Sequence, residues 1–146
     1  MGGGDRVAMQ FMWPVRVYYE DTDAGGVVYH SQYLNYMERA RTEWLRSLGL
    51  AQTEIREQHG IVFVVRQMQI QFHKPARFDD ALQVSTGLSQ RNGASLKFSQ
   101  KILREDEVLI AADVKVVCVA LDKFKPARIP ATMLARLDSI PLINQA

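Results

Sequence analysis

The sequence predicts an α+β domain in which a curved, five-stranded antiparallel sheet wraps around one long helix. Three observations carry this expectation. Between Ser31 and Gly49 the residues Tyr33, Met37, Ala40, Trp44 and Leu48 recur at steps of three or four, one apolar stripe at helical period. Beyond residue 60 the period falls to two, the signature of half-buried strands. Asn92-Gly93 then joins two alternating runs, the strongest short-range hairpin signal in the chain. A helix of about 18 residues spans ~27 Å at ~1.5 Å per residue, enough to lie along such a sheet. Wrapping the sheet around it is the economical packing.

The elements follow in order. Residues 1–11 contain three consecutive glycines and read as a disordered tail, leaving 12–146 as a single domain. Val15 to Tyr19 alternates after Pro14 and reads as a first strand. Asp21-Thr22-Asp23-Ala24-Gly25-Gly26 is a polar turn before the helix, for which Ser31 is the expected N-cap and Gly49 the stop. Arg41 falls on the flank of the apolar stripe, which implies a buried pair or a subunit contact. A short amphipathic segment covers Gln52 to Gln58. Ile61 to Lys74, Leu82 to Ser89, a strand carrying Leu96, Phe98 and Ile102, and Val108 to Leu121 are the remaining strands, joined mostly as hairpins. The last is apolar on both faces in its second half, which places it centrally. Pro126 and Pro130 precede a terminal helix from Ala131 to Leu137.

Composition bounds the chemistry. Eighteen Lys+Arg against 16 Asp+Glu leave a net charge of +2, too little to point to nucleic acid or an anionic membrane surface. One cysteine, Cys118, builds neither a disulfide framework nor a zinc site and fits a reducing, cytoplasmic setting. It sits in an apolar strand and reads as core. No apolar run approaches a membrane span, and the first ten residues lack the apolar core of a secretory signal. Arg6 stands where a myristoylation motif needs Ser or Thr.

The loop before the helix is where chemistry concentrates. Counted from Asp21, a calcium loop would find its glycine at Gly26, but Gly25 and Gln32 stand where two ligands belong. Acids placed to favour the helix dipole would also explain the segment. A third reading joins the parts. Gly25 and Gly26 let the backbone approach a ligand, and the helix start offers free N–H groups where negative charge develops. A carboxylate just upstream can attack, or activate water against, a carbonyl whose oxygen those groups hold. Such a pairing suits metal-free and cofactor-free hydrolysis of an activated ester.

Tyr18 to His30, with Tyr33 and the helical run Glu38-Arg39-Ala40-Arg41, resembles the 4-hydroxybenzoyl-CoA thioesterase family of hotdog-fold enzymes. The branch it most resembles is that of the Tol–Pal-associated acyl-CoA thioesterases. Phe63 to Arg66, Pro75 to Asp80 and Lys123 to Pro126 extend the resemblance over nearly all of residues 13–130. It implies a hotdog fold assembled as a homodimer or homotetramer. It also implies acyl-CoA as substrate, with acyl carrier protein as the alternative donor. It assigns catalysis to Asp23 as nucleophile or general base, with the oxyanion-stabilising backbone N–H falling on His30. The His30 imidazole is a second catalytic candidate, able to orient water or the thioester.

Coenzyme A carries phosphates, so Lys or Arg should stand near the site. Arg91, Lys97, Lys74 and Arg77 are the available cations, and Tyr29 a further substrate-side candidate. Asp21 reads as a loop stabiliser, Glu38 as a solvated helix residue or a partner of Arg41, and His59 and His73 as surface or loop residues. Two rivals remain on the residues alone. One is a non-catalytic binder of acyl groups or envelope machinery; the other is a dehydratase using a histidine with an acid from a second chain.

Overall fold

The computed structural model describes residues 10–146. The strands are β1 (Phe11–Arg16), β2 (Ile61–Phe72), β3 (Ala81–Arg91), β4 (Ser95–Arg104), β5 (Glu107–Ala120) and the two-residue β6 (Lys125–Pro126). The helices are α1 (His30–Ser47), α2 (Gln52–His59) and α3 (Ala131–Asp138). The sheet is antiparallel in the order β1-β3-β4-β5-β2, with β6 pairing the end of β5. Strand β5 is central, as its two apolar faces require. β2 and β3 do not form a hairpin: β2 crosses to the far side of β5, so β1 and β2 become the sheet edges. Helix α1 lies across the sheet and buries Tyr33, Tyr36, Met37, Ala40, Trp44 and Leu45 against strand residues such as Leu88, Phe98 and Val114. Trp44 meets Phe98 edge-on at 5.2 Å between ring centroids, a geometry aromatic pairs favour. This is the hotdog architecture.

Several boundaries differ from the sequence reading. The expected tail falls mostly on residues outside the described ones, but Phe11 already belongs to β1, where it stacks on Trp13. The first strand therefore ends at Arg16, and Tyr19–Asp21 is a 3-10 turn instead of its continuation. Pro14 sits inside β1 because that strand is an edge and needs fewer ladder donors. Ser31 lies within α1; the N-cap position is Tyr29, with no side-chain cap. The Asn92 hairpin exists, but its loop has three residues, and the Asn92 Oδ1 accepts the Ala94 and Ser95 N–H groups at 2.9 Å. Cys118 is fully buried and burial pushes its thiol up, which keeps it unreactive.

Candidate active site

The segment between the 3-10 turn and α1 is a miniature antiparallel hairpin. The Tyr29 N–H donates to the Asp21 carbonyl at 3.2 Å, Thr22 bridges Val28, and the Asp23 N–H donates to the Val27 carbonyl at 2.9 Å. The turn closes where the Gly26 N–H meets the Asp23 carbonyl at 3.0 Å. Gly26 has φ of +80°, a conformation that side chains resist. At the head of this hairpin the Asp23 Oδ1 accepts the Gly25 N–H at 2.8 Å and the Val27 N–H at 3.3 Å. The other oxygen, Oδ2, makes no hydrogen bond among the described residues and Asp23 is half-buried. One oxygen aims the carboxylate while the other stays available.

The returning strand of the hairpin delivers the start of α1. The first N–H groups of a helix have no intrahelical acceptor, and here no side chain caps them. The Gln32 N–H turns back to the Tyr29 carbonyl at 3.0 Å, which leaves the His30 and Ser31 N–H groups as the open donors. The exposed His30 ring packs on Phe72 at the end of β2, with centroids 4.7 Å apart. His30, Tyr33, Phe72 and Lys74 line a shallow cavity of about 200 Å³ at this junction.

Asp21 fixes the base of the hairpin. Its buried carboxylate accepts the Tyr18 N–H at 2.9 Å and the Gln32 side-chain amide at 2.5 Å, tying the 3-10 turn to α1. Burial opposes its charge, but the Tyr18 N–H, the neighbouring Tyr36 hydroxyl, Gln32 and Arg39 together hold the carboxyl below its ordinary value. The Tyr36 hydroxyl points toward this carboxylate without completing a hydrogen bond of normal geometry, and burial beside that charge pushes it up. Tyr33 adds a second tie, accepting the Ala76 N–H at its hydroxyl at 2.9 Å.

The expected cations separate. Arg77 adjoins the site: its backbone bridges Val27, the Phe78 N–H donates to the Gly26 carbonyl, and its guanidinium forms no ion pair among the described residues. Lys74 lines the His30 cavity but is paired with Glu107, which Arg104 also binds. Arg91 is spent on the Asp138 carboxylate and on the Asp138 and Ile140 carbonyls, where it fastens α3. Lys97, flanked by the core residues Leu96 and Phe98, points to the opposite face of the sheet, across from Lys115. The Tyr29 ring is half-exposed beside the helix start. Glu38 and Arg41 form no ion pair among the described residues: of the two alternatives for Glu38 it is the solvated one, exposed while Arg41 is buried. His59 and His73 are exposed. The sequence reading missed Phe72 and Gln32 as site-builders: one looked like ordinary strand alternation, and the other entered only as the residue standing where a calcium ligand belongs.

A family model for the thioesterase-like superfamily matches residues 17–137. The chain belongs to that superfamily. It is 48% identical over 125 residues to "Acyl-CoA thioesterase YbgC" of Haemophilus influenzae, covering 86% of this chain and 92% of the relative. It is 47% identical over 126 residues to "Acyl-CoA thioester hydrolase YbgC" of Escherichia coli O6:H1, covering 86% and 93%. Among solved structures, a probable thioesterase from Bartonella henselae superposes with a TM-score of 0.79 at 38% identity, covering 83% of this chain and 99% of that one.

Proposed function

We propose that the Asp23 hairpin and the first turn of α1 form the thioester-cleaving centre of this acyl-CoA thioesterase. Acyl-CoA thioester hydrolysis is the activity in the names of relatives that match nearly end to end. The observation that carries the residue assignment is the division of labour on Asp23: Oδ1 held by two backbone N–H groups, Oδ2 free, on the same hairpin that delivers an uncapped helix start.

The chemistry follows from that geometry. The thioester carbonyl oxygen lies against the His30 N–H, where negative charge develops as the carbonyl carbon is attacked. Asp23 either attacks that carbon or takes a proton from an attacking water. The C–S bond breaks, CoA leaves as its thiol, and one water is consumed to give the free acid. The His30 ring, braced by Phe72, orients the thioester or the water. Arg77, Lys74 and Tyr29 border the junction and would meet the CoA arm, whereas Arg91 and Lys97 could contribute only from elsewhere in an assembly.

Strand β2, 12 residues long, pairs only with β5 among the described residues and is a sheet edge whose Val65 and Phe72 stay 47% and 45% exposed. Pairing with a second copy covers such an edge, which supports a homodimer or a dimer of dimers. No helix among the described residues is long and apolar enough to cross a membrane. A single buried free cysteine agrees with the cytoplasm.

The test is thiol release from acyl-CoAs of several chain lengths, followed with DTNB. Asp23→Asn keeps an oxygen for the Gly25 and Val27 N–H groups and should lower kcat by about 10²–10⁴-fold with its melting curve unchanged. A variant as fast as the wild type would remove Asp23 from the mechanism.

A further inference from the structure

Arg41 is 7% exposed and yet belongs to no ion pair among the described residues. Its one side-chain hydrogen bond among the described residues runs from Nη1 to the Gln100 Oε1 at 3.0 Å. That amide cannot be turned round, since its Nε2 donates to the Met37 carbonyl and the Thr86 hydroxyl, both at 3.0 Å. A guanidinium has five N–H donors and keeps its charge at any physiological pH, so most of its bonding capacity is unspent. A buried charge without a counterion is strongly unfavourable. Burial lowers the guanidinium's own pKa, and Glu38, one turn earlier, opposes this only from a distance.

Arg41 borders a cavity of about 460 Å³. Its walls are α1, through Arg41, Thr42 and Leu45, and β2, through Phe63 to Val65, with Phe98 and Val116 behind. The His30–Phe72 cavity is walled by the same helix and the same strand. His30 and Arg41 are eleven residues apart, about 17 Å along the helix axis at ~1.5 Å per residue. An acyl chain with its thioester at His30 reaches the guanidinium by running that distance along α1 from the first cavity to the second.

We propose that the Arg41 cavity receives the far end of the acyl group and selects chains that end in a carboxylate, the monothioesters of dicarboxylic acids. This rests on the thioesterase reading above. The carboxylate supplies the counterion that Arg41 lacks, through charge-assisted bonds to the free N–H groups, while the apolar walls take the methylenes. Glu38 is the one acid lining the cavity, and it stays exposed at its margin.

The experiment uses the full chain and two series of CoA thioethers, which cannot be hydrolysed, matched in length and ending in either a carboxylate or a methyl group. Calorimetric binding should favour the carboxylate at the best length by about tenfold, the gain expected of one well-made charged contact. Arg41→Met, close in volume and uncharged, should abolish or invert that ratio, and Arg41→Lys should keep part of it with a melting curve near wild type. A wild-type ratio near one, or one that Arg41→Met leaves unchanged, overturns the proposal. Thiol release from the corresponding thioesters separates the two readings. If no thioester is cleaved, the catalytic assignment falls while the binding ratio still decides the role of Arg41.

Discussion

The two ends of α1 are finished in opposite ways. At the C-terminal end the Leu45, Arg46 and Leu48 carbonyls are all met. Gly49, with φ of +76°, lets its own N–H reach the Arg46 carbonyl at 2.9 Å and lets the Leu50 N–H reach the Leu45 carbonyl at 2.9 Å. This is a Schellman motif, and Arg136 adds a bond to the Leu48 carbonyl at 2.6 Å. At the N-terminal end no side chain caps the helix, although Ser31 stands within reach in sequence. The closed end is architecture. The open end keeps donors for a ligand, and the stability it forgoes, about 1 kcal/mol for a typical cap, is a small cost for a pre-aimed oxyanion site.

The sharpest way to break this comparison is His30→Pro. Proline is favoured at the first helical position and brings a suitable φ, so the helix survives while the N–H disappears. The expected loss in kcat is about 10²–10³-fold, the value of one oxyanion donor. His30→Ala is the control that keeps the N–H, and a DTNB rate assay reads both. If His30→Pro and His30→Ala are equally active, the open N–H is not the oxyanion donor.

Asp21→Asn acts on the hairpin that aims the open end. It should cost about 1.5–3 kcal/mol in urea unfolding at neutral pH, the range for a bond to a charged group. The sign of its pH dependence is fixed by the lowered pKa of Asp21. The carboxylate's contribution is complete above its unfolded-state value of about 3.9 and is lost as the pH falls through the lower folded-state value. The stability curve of Asp21→Asn should therefore be flatter than wild type below about pH 4.

At the closed end, Gly49→Ala should cost about 1–2 kcal/mol, because the left-handed conformation disfavours any Cβ. The added carbon would also lie 2.3 Å from the Arg136 Nη1, which must swing away. Thermal melting should register the change while the catalytic rate does not move. The smallest effect belongs to Ser31→Ala. Because Ser31 is inside the helix and caps nothing, its loss should stay within about 0.5 kcal/mol instead of the ~1 kcal/mol of a true N-cap.

Much of the fold was legible because its signals are local. The α1 stripe from Tyr33 to Trp44 is buried as its spacing implied, and β5 is central as its two apolar faces implied. The place of β2 was not legible, since alternation says which face is buried and never which neighbour the strand takes. The Asp23-Gly25-Gly26 loop stood out for the same reason as the helix: its chemistry is contiguous in sequence. Phe72 under His30, Gln32 on Asp21 and Gln100 on Arg41 did not, because those partners meet across 42, 11 and 59 positions.

Arg41 marks the boundary between the two kinds of information. Helical period alone put it on the flank of the apolar stripe and required either a pair or a contact. Glu38, one helical turn earlier, was a natural candidate for partner, yet it stays exposed while the guanidinium turns inward to Gln100. Residue type and spacing settled which positions face the core, because the backbone geometry of a helix or strand fixes side-chain direction. Which charges are met and which are left waiting was decided only by tertiary packing, where sheet order and burial choose the neighbours.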